Sequence, residues 1–326
     1  MATYKVIKGI KVQSLASDPP TATSIGQMWY NTTSGALKYS IEGGGSWASG
    51  TAVNNSSRSL GGVGTTTAAL KMAGMYDLAT TEQWNGTGWT EVGDLNQGRN
   101  TIVAFGTSVA CIGASGYKTD DNATYNLAEE WDNSSWTAVA TMNTARGYAS
   151  GSNQGTTTSG IVFGGWGPSY STPTGLTEDW NGTGWTEVGD LNTNRKNAIG
   201  GGTATAAYNA TGGTPSYLAN TEIYNGTAWT EVADVNTART FPGGSGTITA
   251  ALIYTGTTGS NQALTESYNG TAWTEVADTA TALMRPATGM GSSTAALRVC
   301  GYTTTALTSV EEWSSPTLTV KTVTVS

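Results

Sequence analysis

Residues 81–99 read TEQWNGTGWTEVGDLNQGR, and the chain returns to this phrase at 177–195 (TEDWNGTGWTEVGDLNTNR), 221–239 (TEIYNGTAWTEVADVNTAR) and 265–285 (TESYNGTAWTEVADTATALMR). Aligned on the aromatic ahead of the turn, the repeat gives Tyr39, Trp84, Trp131, Trp180, Tyr224, Tyr268 and Trp313, spaced 44 to 49 residues apart. A period in that range marks an array or closed ring, overriding the one or two domains that 326 residues would otherwise suggest. A second aromatic follows at Trp47, Trp89, Trp136, Trp185, Trp229 and Trp273. Asn-Gly tolerates positive φ at both centres of a type I′ turn, so each aromatic pair is expected to flank a tight hairpin. The same Asn-Gly-Thr spells a glycosylation acceptor at Asn85, Asn181, Asn225 and Asn269, but without a secretion signal the turn reading takes precedence.

Upstream of the hairpin lies a strand ending in glycine, seen as AALKMAG (68–74), AALIYTG (250–256), AALRVCG (295–301) and GIVFGG (160–165). Before it comes a small-residue strand opened by an arginine: Arg58, Arg99, Arg146, Arg195, Arg239 and Arg285. Each unit with that arginine also has a glutamate two residues before its first aromatic: Glu82, Glu129, Glu178, Glu222, Glu266 and Glu311. The first unit has neither and carries Leu37 at the glutamate position. Charges that come and go together are expected to meet as buried, hydrogen-bonded pairs. One unit is therefore four short antiparallel strands, the content of a propeller blade.

Composition agrees. Glycine is abundant, at 44 residues, only 12% of residues are charged, and no 3.6-residue apolar stripe emerges, so an all-β fold with almost no helix is expected. A formal charge of −8 without a basic cluster argues against nucleic acid. No apolar run is long enough to insert in a membrane, and MATYKVIKGIKVQSL lacks the apolar core of a signal peptide, so synthesis in a cytoplasm is expected. Cys111 and Cys300 are read as buried small hydrophobes rather than a disulfide.

The pattern of a Gly-ended second strand, a Glu-x-aromatic third strand and a Trp opening the fourth resembles the kelch repeat over residues 28–313. The lead SDPPTATSIGQMWYNTTSGALKYSIEGGGSWASG (17–50) and the end VEEWSSPTLTVKTVTVS (310–326) are similar to kelch-like virion proteins, tail fibre or appendage, of marine tailed phages. The resemblance implies a kelch-like β-propeller and a structural protein of a bacteriophage particle. Seven blades are favoured, the first built from N-terminal strands and closed by the C-terminal strand, which would cover two sheet edges. Six blades with the N-terminal hairpin outside the ring are the alternative. Residues 28–326 are assigned to the propeller and 1–27, with Lys5, Lys8 and Lys11 alternating with apolar residues, to an attachment segment. Its expected partner is another virion subunit or a second copy of the chain.

Catalytic chemistry is sparse. The absence of histidine removes Ser-His-Asp and Cys-His nucleophilic sites and the usual zinc and copper sites, and no catalytic residue, metal or cofactor is expected. A carboxylate pair could still hydrolyse a glycoside. The irregular loops after the second strand, 114–127, 165–176 and 213–220, supply Tyr117, Asp120, Asp121, Tyr125, Trp166, Tyr170 and Tyr217 as candidate binding residues for a host-surface glycan or protein. The leading expectation is a non-enzymatic virion protein for host attachment. A polysaccharide-degrading or sialidase-like phage enzyme is second, and a lectin-type adhesion module third.

Overall fold

The computed structural model describes residues 3–7, 10–19, 27–42, 45–168, 172–286, 289–315 and 318–323, all of them strand, turn or irregular chain without an α-helix. The chain divides into two compact units, 1–46 with 315–326, and 47–314.

In the first unit, five strands order as Thr3–Ile7, Ile10–Leu15, Met28–Asn31, Ala36–Glu42 and Leu318–Thr322. Gln13 to Leu15 run parallel to Trp29 to Asn31, and Lys321 lies opposite Tyr39. The two chain ends do pair, as expected. The boundary at residue 28, however, falls within a sheet, because main-chain hydrogen bonding joins both sides of it. Asp18 fastens the connection by accepting from Trp29 Nε1 (3.0 Å), Asn31 Nδ2 (2.7 Å) and Lys38 Nζ (2.8 Å). The Lys38 ammonium leads in holding the Asp18 carboxyl down at about 2.

Residues 47–314 form the propeller. The first blade holds Gly61–Gly64, Ala69–Met72, Thr81–Trp84 and Trp89–Val92 in antiparallel order, and four further blades repeat the arrangement. The sixth is Ala295–Val299, Val310–Ser314 and Ser46–Gly50. Gly291 N–H donates to Gly64 O (2.8 Å), which joins the sixth blade to the first and closes the ring. Among the described residues, six is therefore the blade count of this unit. The strands expected to make a seventh blade belong to the other sheet, where Leu37 replaces the glutamate that every ring blade carries.

Trp47 shows how the ring is closed. Rather than pairing with Tyr39 eight residues earlier, it packs on Trp313 (ring centroids 5.5 Å) as Trp89 packs on Trp84 (5.4 Å). Its indole donates to Thr265 Oγ1 of the fifth blade (3.1 Å), matching Trp136 on Thr81 and Trp229 on Thr177. The outermost strand of the last blade thus comes from the beginning of the ring sequence.

The hairpins depart from the expected type I′ turn. Trp84 and Trp89 face each other across a four-residue loop in which only Gly86 has positive φ (92°). Asn85 instead caps the loop, its Oδ1 accepting from Thr87 N, Thr87 Oγ1 and Gly88 N. An Asx turn uses the side chain where a I′ turn would use backbone geometry. Glycine has a second use on the inner strands: a Cβ at Gly160 would lie 2.4 Å from the Phe105 ring of the preceding blade. Cys111 and Cys300 are free and buried, and burial pushes the Cys300 thiol up to about 11.

Every blade buries one ion pair. Arg99–Glu129 (2.6 Å), Arg146–Glu178, Arg195–Glu222 (2.6 Å) and Arg239–Glu266 (2.7 Å) are the expected ones. The first and sixth blades differ. Their cations are Lys71 and Arg298, from the second strand directly opposite the glutamate, at 2.7 Å from Glu82 and 2.5 Å from Glu311. Main-chain bonds show why Arg58 and Arg285 are not used. Gly116 N donates to Arg146 O, and the equivalent bonds in the last blades run from Gly256 N to Leu283 O and from Gly301 N to Ser57 O. Ser57 and Leu283 therefore occupy the arginine position, leaving Arg58 one residue and Arg285 two residues beyond it.

Arg298→Ala strands Glu311 in the interior and is expected to lower the unfolding free energy by about 3–5 kcal/mol. Arg58→Ala is expected to cost no more than about 1 kcal/mol, because Arg58 lies over the Tyr302 ring at 3.8 Å rather than on a carboxylate. Denaturation midpoints of the two variants measure the difference. For ring closure, a chain beginning at Thr51 leaves Val310–Ser314 as an open edge. It is expected to melt lower and to aggregate relative to one beginning at Ser46, which thermal melts and light scattering would register.

Candidate functional site

Two residues beyond the arginine position, the backbone of all six blades turns left-handed at a non-glycine residue: Ser59, Thr101, Tyr148, Asn197, Phe241 and Arg285, with φ from 55° to 60°. Threonine and aromatic residues adopt this conformation at a cost, so a shared cause is needed. It is a ring of hydrogen bonds. Thr101 N donates to Ser59 O, Asn197 N to Tyr148 O, Phe241 N to Asn197 O, Arg285 N to Phe241 O and Ser59 N to Arg285 O, at 2.7 to 3.1 Å. The sixth link differs: Tyr148 N donates to Thr101 Oγ1 (3.1 Å).

Each of these residues, with the one following it, lines a recess of about 60 Å³ at one end of the inner strands. The Arg285 guanidinium lies over the Phe241 ring at 4.0 Å and 5.9 Å from Tyr148, and the Tyr148 and Phe241 rings meet edge to face at 6.0 Å. A larger cavity of about 710 Å³ opens at the other end of the inner strands, bordered by glycine, threonine and serine of the first-strand hairpins, with Asn153 and Gln154. Of these two, the smaller recess is the one lined by a guanidinium and aromatic rings.

Around the recess runs a collar. In five places the residue after a second-strand glycine bridges to the residue just before a left-handed one: Asn100 with Tyr117, Gly147 with Trp166, Lys196 with Gly213, Thr240 with Thr257 and Met284 with Tyr302; at the sixth, Met75 N donates to Arg58 O. The irregular loops therefore share the recess's end of the ring. Here Arg58 covers Tyr302, and Lys196 Nζ stands 3.5 Å above the Trp166 ring, with burial pulling the Lys196 ammonium below the usual lysine range.

The candidate residues are spread along this collar rather than gathered at one point. Tyr117 is 9% exposed, donates to Asn122 Oδ1 (2.5 Å) and packs on Tyr148 at 5.8 Å, so it backs the recess instead of offering an open ring. Burial is the main cause raising its hydroxyl pKa. Asp120 and Asp121 are exposed, and the Asp121 carboxylate accepts from Tyr125 OH (2.5 Å), which raises the Tyr125 pKa. Trp166 is half-buried beneath Lys196, and Tyr217 is 44% exposed in the next blade. Tyr170 lies outside the described residues.

Sequence reading missed Tyr76, 76% exposed in the first blade's loop, and the six recess residues themselves. A signal for the latter was present. Two places beyond a regular arginine, in a repeat otherwise uniform, stand Thr, Tyr, Asn and Phe. Among the described residues there is no cluster of three side chains fit to hold a metal ion.

No protein-family model and no curated protein matches this sequence. Among solved structures, the one titled "Structure of YjhT" is similar to this chain with a TM-score of 0.68 at 10% identity, covering 82% of this chain and 99% of that one. It shares the propeller type of four-stranded sheets. At that identity the likeness shows the fold, and function must be argued from the site.

Proposed function

We propose that this protein is a non-enzymatic appendage protein of a bacteriophage virion whose recess and collar recognise a host-surface glycan or partner protein. The observation that carries recognition is where the repeat loses its uniformity. Ion pairs, aromatic pairs and capped hairpins recur along the ring, whereas six different residues occupy one equivalent backbone position around the recess. Rigid rings with a variable face are scaffolds for recognition. The virion assignment rests on the likeness of residues 17–50 and 310–326 to marine phage kelch-like proteins. Attachment to the particle, to another subunit or to a second copy, is assigned to residues 1–27.

The competing hydrolytic reading needs two carboxyl groups flanking a bond, about 5 to 9.5 Å apart. Among the described residues, no carboxylate lines the recess. Asp77, beside the collar residue Asn100, accepts from Thr119 N, Asp120 N and Asn100 Nδ2.

Tyr76→Ala, Trp166→Ala and Tyr217→Ala combined remove rings from one face and are expected to abolish attachment to host cells while leaving the melting temperature unchanged. Unimpaired attachment by the triple variant would refute the face. Release of reducing ends from host polysaccharide that depends on Asp120 or Asp121 would replace recognition with hydrolysis. Absence of the protein from purified particles would remove the virion assignment.

A further inference from the structure

We infer that the outer strand of the second blade, Trp136–Ala138, is a contact surface for a second copy of this chain, the two strands pairing antiparallel about a twofold axis at Ala138. The inference goes beyond the recognition reading and does not depend on it.

The repeat supplies the first ground. The outer strands Trp89–Val92, Trp185–Val188, Trp229–Val232 and Trp273–Val276 each carry an exposed glutamate directly opposite the buried one: Glu91, Glu187, Glu231 and Glu275. Three residues further on stands an exposed aspartate, Asp94, Asp190, Asp234 or Asp278. Outermost strands leave main-chain groups open to pairing, and charge on them keeps other chains away. The second blade lacks both charges. Ala138 lies opposite Glu129, and Thr141 takes the aspartate position. At the outer strand of the sixth blade a carboxylate still stands close, since a Cβ at Gly50 would lie 3.0 Å from Glu312 Oε1.

Geometry is the second ground. Val139 N donates inward to Ala128 O (3.0 Å), whereas Trp136 O accepts from Asn96 Nδ2 (2.8 Å). By the alternation of an antiparallel ladder, the N–H and C=O of Ala138 therefore point outward, and two opposed Ala138 residues would exchange a pair of N–H···O bonds. Thr137, Ala138, Ala140 and Thr141 are exposed, and none of them carries a charge or a long side chain that would hold a second strand off. A hollow of about 120 Å³ opens beside the strand, lined by Leu127, Val139 and the two residues that replace the charges, Ala138 and Thr141. Overall charge agrees. Residues 47–314 hold 21 acids against ten lysines and arginines, so two rings repel and a contact between them is favoured at an edge without carboxylates. A patch that meets its own copy closes at two subunits.

The test is sedimentation equilibrium of the full chain at concentrations up to about 1 mM, where so small an interface is expected to register. A dimer is expected, tightening as salt rises from about 0.01 to 0.15 M and the screening length falls from about 30 to 8 Å. Ala138→Glu introduces the residue of four other blades and sets two carboxylates face to face. It is expected to weaken the dimer at least about tenfold at unchanged melting temperature. Should that variant fail to fold, Ala138→Pro removes only the outward donor and is expected to weaken the dimer likewise. Amide exchange at Ala138 is expected to slow as chain concentration rises. A chain still monomeric at about 1 mM, or a dimer undiminished in Ala138→Glu, would overturn the inference. So would a dimer that loosens with salt, which would instead assign the contact to Lys5, Lys8 and Lys11 of the attachment segment.

Discussion

A carboxylate taken out of water beside its cation holds each blade to the segment that leads into it. In the second blade, Glu129 Oε1 receives Arg99 while Oε2 receives Asn96 through both its N–H and its side-chain amide. The same oxygens serve Arg195 and Asn192 on Glu222, and Arg239 and Asn236 on Glu266. Burial pulls the pKa of Arg99, Arg146, Arg195 and Arg239 below the usual arginine range, and the facing glutamates pull the other way. Burial likewise raises Glu82, yet Lys71 and the backbone N–H groups of Asn54 and Asn55 outweigh it and leave the carboxyl below its ordinary value. Such a pair tolerates exchange of its cation between strands but not its loss.

That tolerance links stability to the site. Wherever the first strand supplies the cation, the residues following it are bound to the geometry of the clip. In the first and sixth blades, where Lys71 and Arg298 come from the second strand, Arg58 and Arg285 are displaced toward the ring end and meet aromatic faces instead. The left-handed residues beyond them are strained one by one, but each is held by a neighbour on both sides in a circuit that closes on itself. Such a circuit fixes the backbone of six blades around one axis.

Much of the scaffold was legible in the residues. Aromatic pairs, glutamates and Gly-ended strands recur at a near-constant period, and each reports a local or nearest-neighbour contact that one repeat is enough to spell. Reading failed where the partner lies far along the chain. Trp47 looks like the companion of Tyr39 eight residues away and is in fact the companion of Trp313, because closing a ring pairs its two ends regardless of their separation. Arg58 and Arg285 look like members of the arginine series, and a one- or two-residue offset excludes them, which only strand register reveals.

The sequence by itself therefore determined an all-β propeller, its repeating blades and the existence of a buried charge pair in each, since these depend on residue types at short, repeated spacings. The tertiary structure alone decided that six blades close through residues 46–50, that the chain ends form a separate sheet, and that Ser59, Thr101, Tyr148, Asn197, Phe241 and Arg285 face one recess. Those outcomes follow from closure about an axis, which brings together residues that share neither a segment nor a motif.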